Sequence, residues 1–304
     1  MGVMADSIVA YAQPLLDETD GSIDAMQRAM DLAQVCWNLA LLPEEERDAQ
    51  IAEMRPAGCF NKKTGRRIKA VIPMHTFGHS VDLDPLVEIC GRYSLELVED
   101  AAESLGSFYK GKHTGNLGRV SALSFNGNKI MTTGGGGAIL TNDESLGKLA
   151  KHLTTTAKVP HKWAFVHDQV GYNYRLPNIN AALGCAQLEQ MPGFIEKKRA
   201  LAGKYQKAFD GFDGISFFTE PEFSQSNYWL NVLLLDDAVK DFRDDLLSET
   251  NSNGIMTRPA WTLMHELDIY MANPKMPDLS VAENIEKRLV NIPSSARLAE
   301  EVFL

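Results

Sequence analysis

The 304-residue sequence predicts an α/β protein with a smaller α+β region behind it and a helical segment in front. Three observations carry this. Between about Gly58 and Met191, short apolar runs of strand length alternate with stretches of helical spacing. After that, one long charged helix leads into scattered strands and helices. Before Gly58 the apolar residues follow a helical period and no strand signal is evident.

The elements follow in order. Ser22 is placed to cap a helix on which Ile23, Met26, Met30, Ala33 and Trp37 share one face, and Leu41 and Leu42 close it. Pro43 opens a second helix with Glu44, Glu45 and Glu46 in its first turn, where acidic side chains suit the helix dipole. It is expected to end near Met54, and RPAG (residues 55–58) reads as a linker. Residues 1–57 are thus expected to form a separate helical unit. Residues 68–74 (IKAVIPM) read as a buried parallel strand. A helix follows from Asp84 and Pro85 to about Tyr93, then a strand over residues 95–98 that ends on Glu99 and Asp100. Residues 120–125 and 137–140 are further strands, and 146–153 and 179–191 are helices. Residues 58–193 make the main sheet domain on this reading. Residues 194–304 make the small domain: a helix over 194–209, strands over 215–218 and 228–235, and helices over 237–249 and 281–289.

Composition narrows the function. Hydrophobic residues at 44% and charged residues at 23% fit a soluble globular protein. A net charge of -10 argues against nucleic acid as a partner, while local basic residues leave an anionic substrate open. The N-terminal residues lack a basic start and a signal-length apolar core, and no apolar run reaches membrane-spanning length; the expected location is the cytoplasm, without membrane contact. Cys36, Cys59, Cys90 and Cys185 are widely spaced, which predicts buried free thiols and no metal site.

Three features stand close together in the α/β region. Asp100 ends the strand in LELVEDAAES, Lys129 follows the strand ending in SFNGNK, and Gly134 to Gly137 come just after. Ligands of open α/β sheets bind at the carboxyl ends of strands, so Asp100 and Lys129 can face one crevice. Pyridoxal phosphate chemistry needs such a pair. A lysine amine forms a Schiff base with the cofactor aldehyde and later moves a proton, and a carboxylate keeps the pyridine nitrogen protonated. Ser124 offers a hydroxyl for the cofactor phosphate, and the glycines allow positive φ or close backbone approach. Each feature also has a plain structural use: an Asp after a strand caps or turns, a loop lysine is solvated, and a glycine run makes a turn. The order, lysine before glycines, is not that of a Walker phosphate loop. Spacing alone leaves pyridoxal phosphate as one option among several.

VEDAAESLGS, SFNGNKIMTTGGGGAILT, GYNYRLPNINAALGCAQLE and NIPSS together resemble the DegT/StrS family of pyridoxal-phosphate-dependent sugar aminotransferases, in particular its perosamine-type and legionaminic-acid-type synthases. The resemblance runs from about Gly58 to about Leu298. It implies the aspartate-aminotransferase-like type I fold. It also implies transfer of an amino group, from a donor such as glutamate, to a keto-sugar nucleotide in bacterial surface-polysaccharide biosynthesis. Lys129 matches the Schiff-base lysine, Asp100 the carboxylate on the pyridine nitrogen and Ser124 the phosphate-binding serine. Glu103 stands where many relatives have Gln or His near the ring hydroxyl. Asn173 matches an asparagine that reaches the cofactor phosphate of the neighbouring subunit, which implies a homodimer; with Arg175 it also suits a plain turn before the helix at Asn178. His265, in RPAWTLMH, resembles a substrate-side histidine and equally suits a packed surface position.

Residues 1–57 depart from the family. They show neither its Gly-Thr-Ala-type helix start, which binds the cofactor phosphate, nor its ring-stacking aromatic residue. The expectation is a fusion or truncation with weakened cofactor binding. The competing readings are a catalytically impaired homologue acting as a binding or structural protein, and a small-molecule binding module with a new partner site on its N-terminal helices.

Overall fold

The computed structural model describes residues 52–55, 58–62 and 64–300. Of the helical unit expected over residues 1–57, residues 1–51, with Met26, Met30, Ala33 and Trp37 expected to turn inward, lie outside the described residues. The chain first forms an antiparallel sheet of β1 (Ala52–Arg55), β2 (Gly58–Asn61) and β3 (Arg67–Ile68), in that order. β1 corrects the helix expected to run to near Met54. Met54 lies opposite Cys59 in a four-residue ladder, and this pairing overrides the helical preference of Ala, Glu and Met.

The central sheet is assembled from β4 (Ala70–Val71), β5 (Glu96–Asp100), β8 (Val120–Ser124) and β9 (Gly137–Leu140), with a hairpin of β6 (Phe108–Tyr109) and β7 (Lys112–His113) between the second and third of these. Its order is β4-β5-β8-β9, parallel across the first two pairs and antiparallel at the last. The strand expected over 68–74 is shorter because Pro73 cannot donate to a ladder; beyond it the chain keeps only a bridge from Met74 to Asp100. Helix α1 (Leu83–Tyr93) packs Leu83, Leu86 and Cys90 against Val71, Leu97 and Tyr109. Each fully buried aliphatic side chain there contributes roughly 1.5–3 kcal/mol, which pins β5, and so Asp100, in place. Helix α2 (Glu144–Thr154) is started by Asp143, whose carboxylate accepts the N–H groups of Ser145 and Leu146.

Helix α3 (Asn178–Phe209) is a single element of 32 residues where two helices were expected. Pro192 removes one helical hydrogen bond without ending the helix. Leu188, whose carbonyl loses its partner, is exposed to water. The helix therefore runs straight through the expected boundary at 193/194 and carries the chain to a second sheet.

That second sheet is antiparallel. It contains β10 (Ile215–Phe217), β12 (Asn231–Leu235), β13 (Arg258–Pro259) and β14 (Leu289–Ile292), in the order β10-β12-β14-β13, while β11 (Ser224–Gln225) joins β6. Helices α4 (Arg243–Ser252) and α5 (Ser280–Arg288) complete the region. β14 is a correction at the end of the helix expected over 281–289: Val290 and Ile292 are buried with Leu233 and Leu235. Cys59 and Cys90 are buried free thiols, and burial pushes the Cys90 thiol up to about 11, with help from the Glu96 charge. Cys185 departs from the expectation and is exposed on α3. Among the described residues, no helix is long and apolar enough to cross a membrane.

Candidate active site

Asp100 and Ser124 end the adjacent parallel strands β5 and β8, and Lys129 follows β8 after a turn in which its N–H donates to the Asn126 carbonyl at 3.0 Å. The Lys129 ammonium lies 3.3 Å from Glu103 Oε1 and 3.9 Å from the centre of the Trp229 ring. Only 8% of the lysine side chain and 11% of the glutamate side chain are exposed, so the pair is shielded from bulk water. Glu103 Oε2 accepts the Phe77 N–H at 2.8 Å. Burial pushes the Glu103 carboxyl up, against the pull of the Lys129 charge and the Phe77 N–H, and the neighbouring Asp100 charge adds to the rise. Burial also raises Asp100, while the Ala102 N–H and the charges of His75 and Lys129 oppose it. Asp100 Oδ1 accepts the Ala102 N–H at 3.1 Å; no hydrogen bond to Oδ2 is present among the described residues.

The walls of this crevice meet at Asn227. Its Nδ2 donates to the carbonyls of Glu103 and Leu105 at 2.9 Å, its N–H donates to Ser107 Oγ at 2.9 Å, and its Oδ1 accepts the Trp229 N–H at 2.7 Å. Gly78 is required beside it: φ is +96°, and a Cβ there would sit 1.9 Å from Asn227 Oδ1. Trp229 is held further by its indole N–H, which donates to the Asn128 carbonyl at 2.7 Å, and by Lys198, which donates to the Trp229 carbonyl at 3.1 Å. Desolvation lowers the buried Lys198 ammonium to about 8. The Trp229 ring stacks on Trp261 at 6.4 Å, and Trp261 stacks on Phe77 at 6.1 Å.

Of the residues expected at the site, Lys129, Asp100 and Glu103 converge. Ser124 is half-buried at the end of β8, and its Oγ accepts the Asn126 N–H at 3.4 Å. In the glycine run, Gly134 and Gly136 have φ of +81° and +89°, while a Cβ on Gly137 would meet the Leu123 carbonyl at 2.2 Å. Asn173 is exposed, bridged to Thr155 by the backbone, and no contact among the described residues joins it to Lys129. His265 is buried and pairs through Nε2 with Glu283 Oε1 at 3.0 Å. Trp229, Asn227 and the Phe77 N–H were not legible as site groups: they lie up to a hundred residues from Lys129 and have no motif of their own.

Residues 46–303 match the DegT/DnrJ/EryC1/StrS aminotransferase family. The chain belongs to this family. The match begins twelve residues before Gly58, so the family likeness reaches into the segment that reads as unrelated helix. Among relatives, it is 37% identical over 245 residues to EpsN of Bacillus subtilis (strain 168), whose descriptive name proposes a pyridoxal-phosphate-dependent aminotransferase; the match covers 79% of this chain and 62% of EpsN. It is 35% identical over 242 residues to the GDP-perosamine synthase of Escherichia coli O157:H7, covering 80% of this chain and 65% of that one. The chain thus spans less than two thirds of the length of these curated relatives. In structure it resembles a DegT DnrJ EryC1 StrS aminotransferase from Brucella abortus, with a TM-score of 0.71 at 26% identity over 79% of this chain and 62% of that one. The Helicobacter pylori PseC fold gives a TM-score of 0.78 at 20% identity over 97% of this chain and 81% of PseC. The mixed α/β sheet is that of the solved DegT/StrS members, whose family enzymes depend on pyridoxal phosphate.

Proposed function

We propose that this DegT/StrS chain binds pyridoxal 5'-phosphate on Lys129 and transfers an amino group, with glutamate as donor, to a keto-sugar nucleotide used in surface-polysaccharide biosynthesis. The observation that carries this is the amine of Lys129 enclosed with two carboxyl groups, Asp100 and Glu103, at the carboxyl ends of parallel strands in a chain of an aminotransferase family. The residues fit the cofactor. Asp100 keeps one oxygen for a ring N–H, Lys129 offers a shielded amine, and Ser124 offers a hydroxyl one strand away. When bound, the cofactor supplies an aldehyde and an electron-accepting ring. Lys129 is the attachment point and, when released, the base that takes and returns a proton. Asp100 would hold the ring N–H by an opposite charge, and Glu103 sits on the lysine side of the crevice. On this reading the sheet of β4, β5, β8 and β9 belongs to the large domain of a type I fold and the sheet of β10, β12, β13 and β14 to its small domain.

A homodimer completes the proposal. Trp163, Phe165, Val170, Leu176, Ile179 and Leu183 lie within ten residues of Asn173 in sequence and are exposed, Ile179 to 81%. Several large apolar side chains left exposed in one segment favour a subunit contact there. A charged sugar nucleotide does not cross a bilayer unaided, which favours a cytoplasmic site. The decisive experiment is optical. The chain incubated with pyridoxal phosphate should absorb in the near-visible, and borohydride should fix the cofactor on Lys129. Lys129→Ala should abolish the band, and Asp100→Ala should keep some cofactor but lose transamination. Equal absorbance in wild type and Lys129→Ala ends the assignment.

A further inference from the structure

The Lys129 ammonium is not loose in the crevice. One side faces the ring of Trp229 at 3.9 Å and another faces Glu103 Oε1 at 3.3 Å. An aromatic face and a carboxylate both favour a cation, so this seat suits the protonated, unattached amine. Both walls are held by contacts that do not involve the Lys129 side chain. Trp229 is tied through its indole N–H to Asn128, the residue before Lys129, and through its backbone N–H to Asn227. Glu103 is tied to the Phe77 N–H, and its own carbonyl to the same Asn227. One asparagine therefore sets the distance between ring and carboxylate.

We infer that Trp229 and Glu103 form a resting cradle for the Lys129 ammonium, which holds the side chain in register while it is not bonded to the cofactor. The inference rests on the cofactor reading for its purpose, because a transaminating lysine is released and recaptured in every cycle. Trp229 and Glu103 act as positioning residues: they keep the freed amine within reach and prevent it from swinging into water.

The test is the reactivity of the amine itself. The full chain, freed of cofactor, is treated with formaldehyde and a borane at neutral pH, and methylation of Lys129 is measured by mass spectrometry against Lys148, whose side chain is 76% exposed. Reading every rate against Lys148 cancels differences in reagent. In wild type Lys129 should react more slowly than Lys148. Trp229→Leu and Glu103→Gln should each raise the Lys129 rate by roughly fivefold, and Trp229→Phe, which keeps a ring face, should stay within about twofold of wild type. Unchanged rates in Trp229→Leu and Glu103→Gln overturn the cradle. So does a Trp229→Phe rate equal to that of Trp229→Leu, since packing and not the ring face would then be responsible. Failure of borohydride to fix pyridoxal phosphate on Lys129 is a separate result: it sinks the cofactor reading and leaves the labelling ratios as measured.

Discussion

Glu99 lies in β5 and Glu103 four residues on, in the loop that follows the strand, and their surroundings are opposite. Glu99 is fully buried and saturated: it accepts the N–H groups of Gly115, Leu117 and Gly118 at 2.6–2.8 Å and pairs with His75 Nε2 at 3.0 Å. Burial pushes its carboxyl up, but the His75 bond and the backbone N–H groups of Gly118 and Gly115 outweigh it, and Glu99 ends below its ordinary range. Glu103 has one backbone N–H and one ammonium, and burial wins. A carboxylate with every lone pair engaged fastens loops together. One left short of partners, beside an amine in a crevice, is available to act on something else.

The largest expected effect breaks the saturated side. Glu99→Ala leaves three backbone N–H groups and His75 without their acceptor. Removing one partner from a buried pair typically costs about 3–5 kcal/mol, and chemical denaturation should show a loss of that size. A loss below about 1 kcal/mol would mean that water replaces the carboxylate and that Glu99 fastens nothing.

A second contrast is between two buried histidines four residues apart. His75 has Glu99 on one nitrogen and accepts the Val81 N–H on the other at 3.3 Å. Among the described residues His79 has no hydrogen-bond partner on either nitrogen, and it sits edge-on between Phe218 and Tyr228. Desolvation holds it down to about 4, against the opposing pull of Glu220. The unfolded chain then binds the extra proton between about 6.5 and 4, so stability is full above 6.5 and falls as the pH drops through that window, by roughly 3 kcal/mol in all. His79→Phe should flatten this part of the stability profile. An unchanged slope between pH 6.5 and 4 would assign it to other groups.

These contrasts show what the sequence could and could not carry. Asp100, Lys129 and the glycines were legible because they sit in short local motifs, and β5, β8, β9 and α1 were legible because their apolar periodicity is strong. β14 was hidden because LVNI directly follows a helical stretch and becomes a strand only by pairing on both sides, with β12 and β13. Trp229 and Asn227 were hidden because their role is purely tertiary: one asparagine side chain ties the loop at Glu103 and Leu105 to the Trp229 backbone, more than a hundred residues on. The break expected near Pro192 failed because an exposed helix turn tolerates a lost bond. Glu103 was legible as a position, but its partner was not, since nothing local says that Lys129 and Trp229 meet above it.

The smallest effect sharpens the comparison most. A carboxyl raised by burial binds its proton more readily in the folded chain than in the unfolded one. Across the acid range above the ordinary carboxylate pKa, Glu103 therefore lowers stability as pH rises, whereas Glu99, held below its ordinary range, loses its contribution as pH falls. The two carboxyls tilt the profile in opposite directions. Glu103→Gln keeps the shape and an oxygen for the Phe77 N–H, and removes only the buried charge. At neutral pH it should leave stability within about 1 kcal/mol of wild type or slightly above it, because removing a charge that burial disfavours offsets the charge partner that the Lys129 amine loses. Thermal unfolding at neutral pH, read beside Glu99→Ala, separates the cases. A Glu103→Gln loss as large as that of Glu99→Ala would make Glu103 a second structural clamp and remove the distinction between the two. A near-neutral change would leave Glu103 as a carboxylate kept under strain beside Lys129, which is the condition expected of a group that serves the amine rather than the fold.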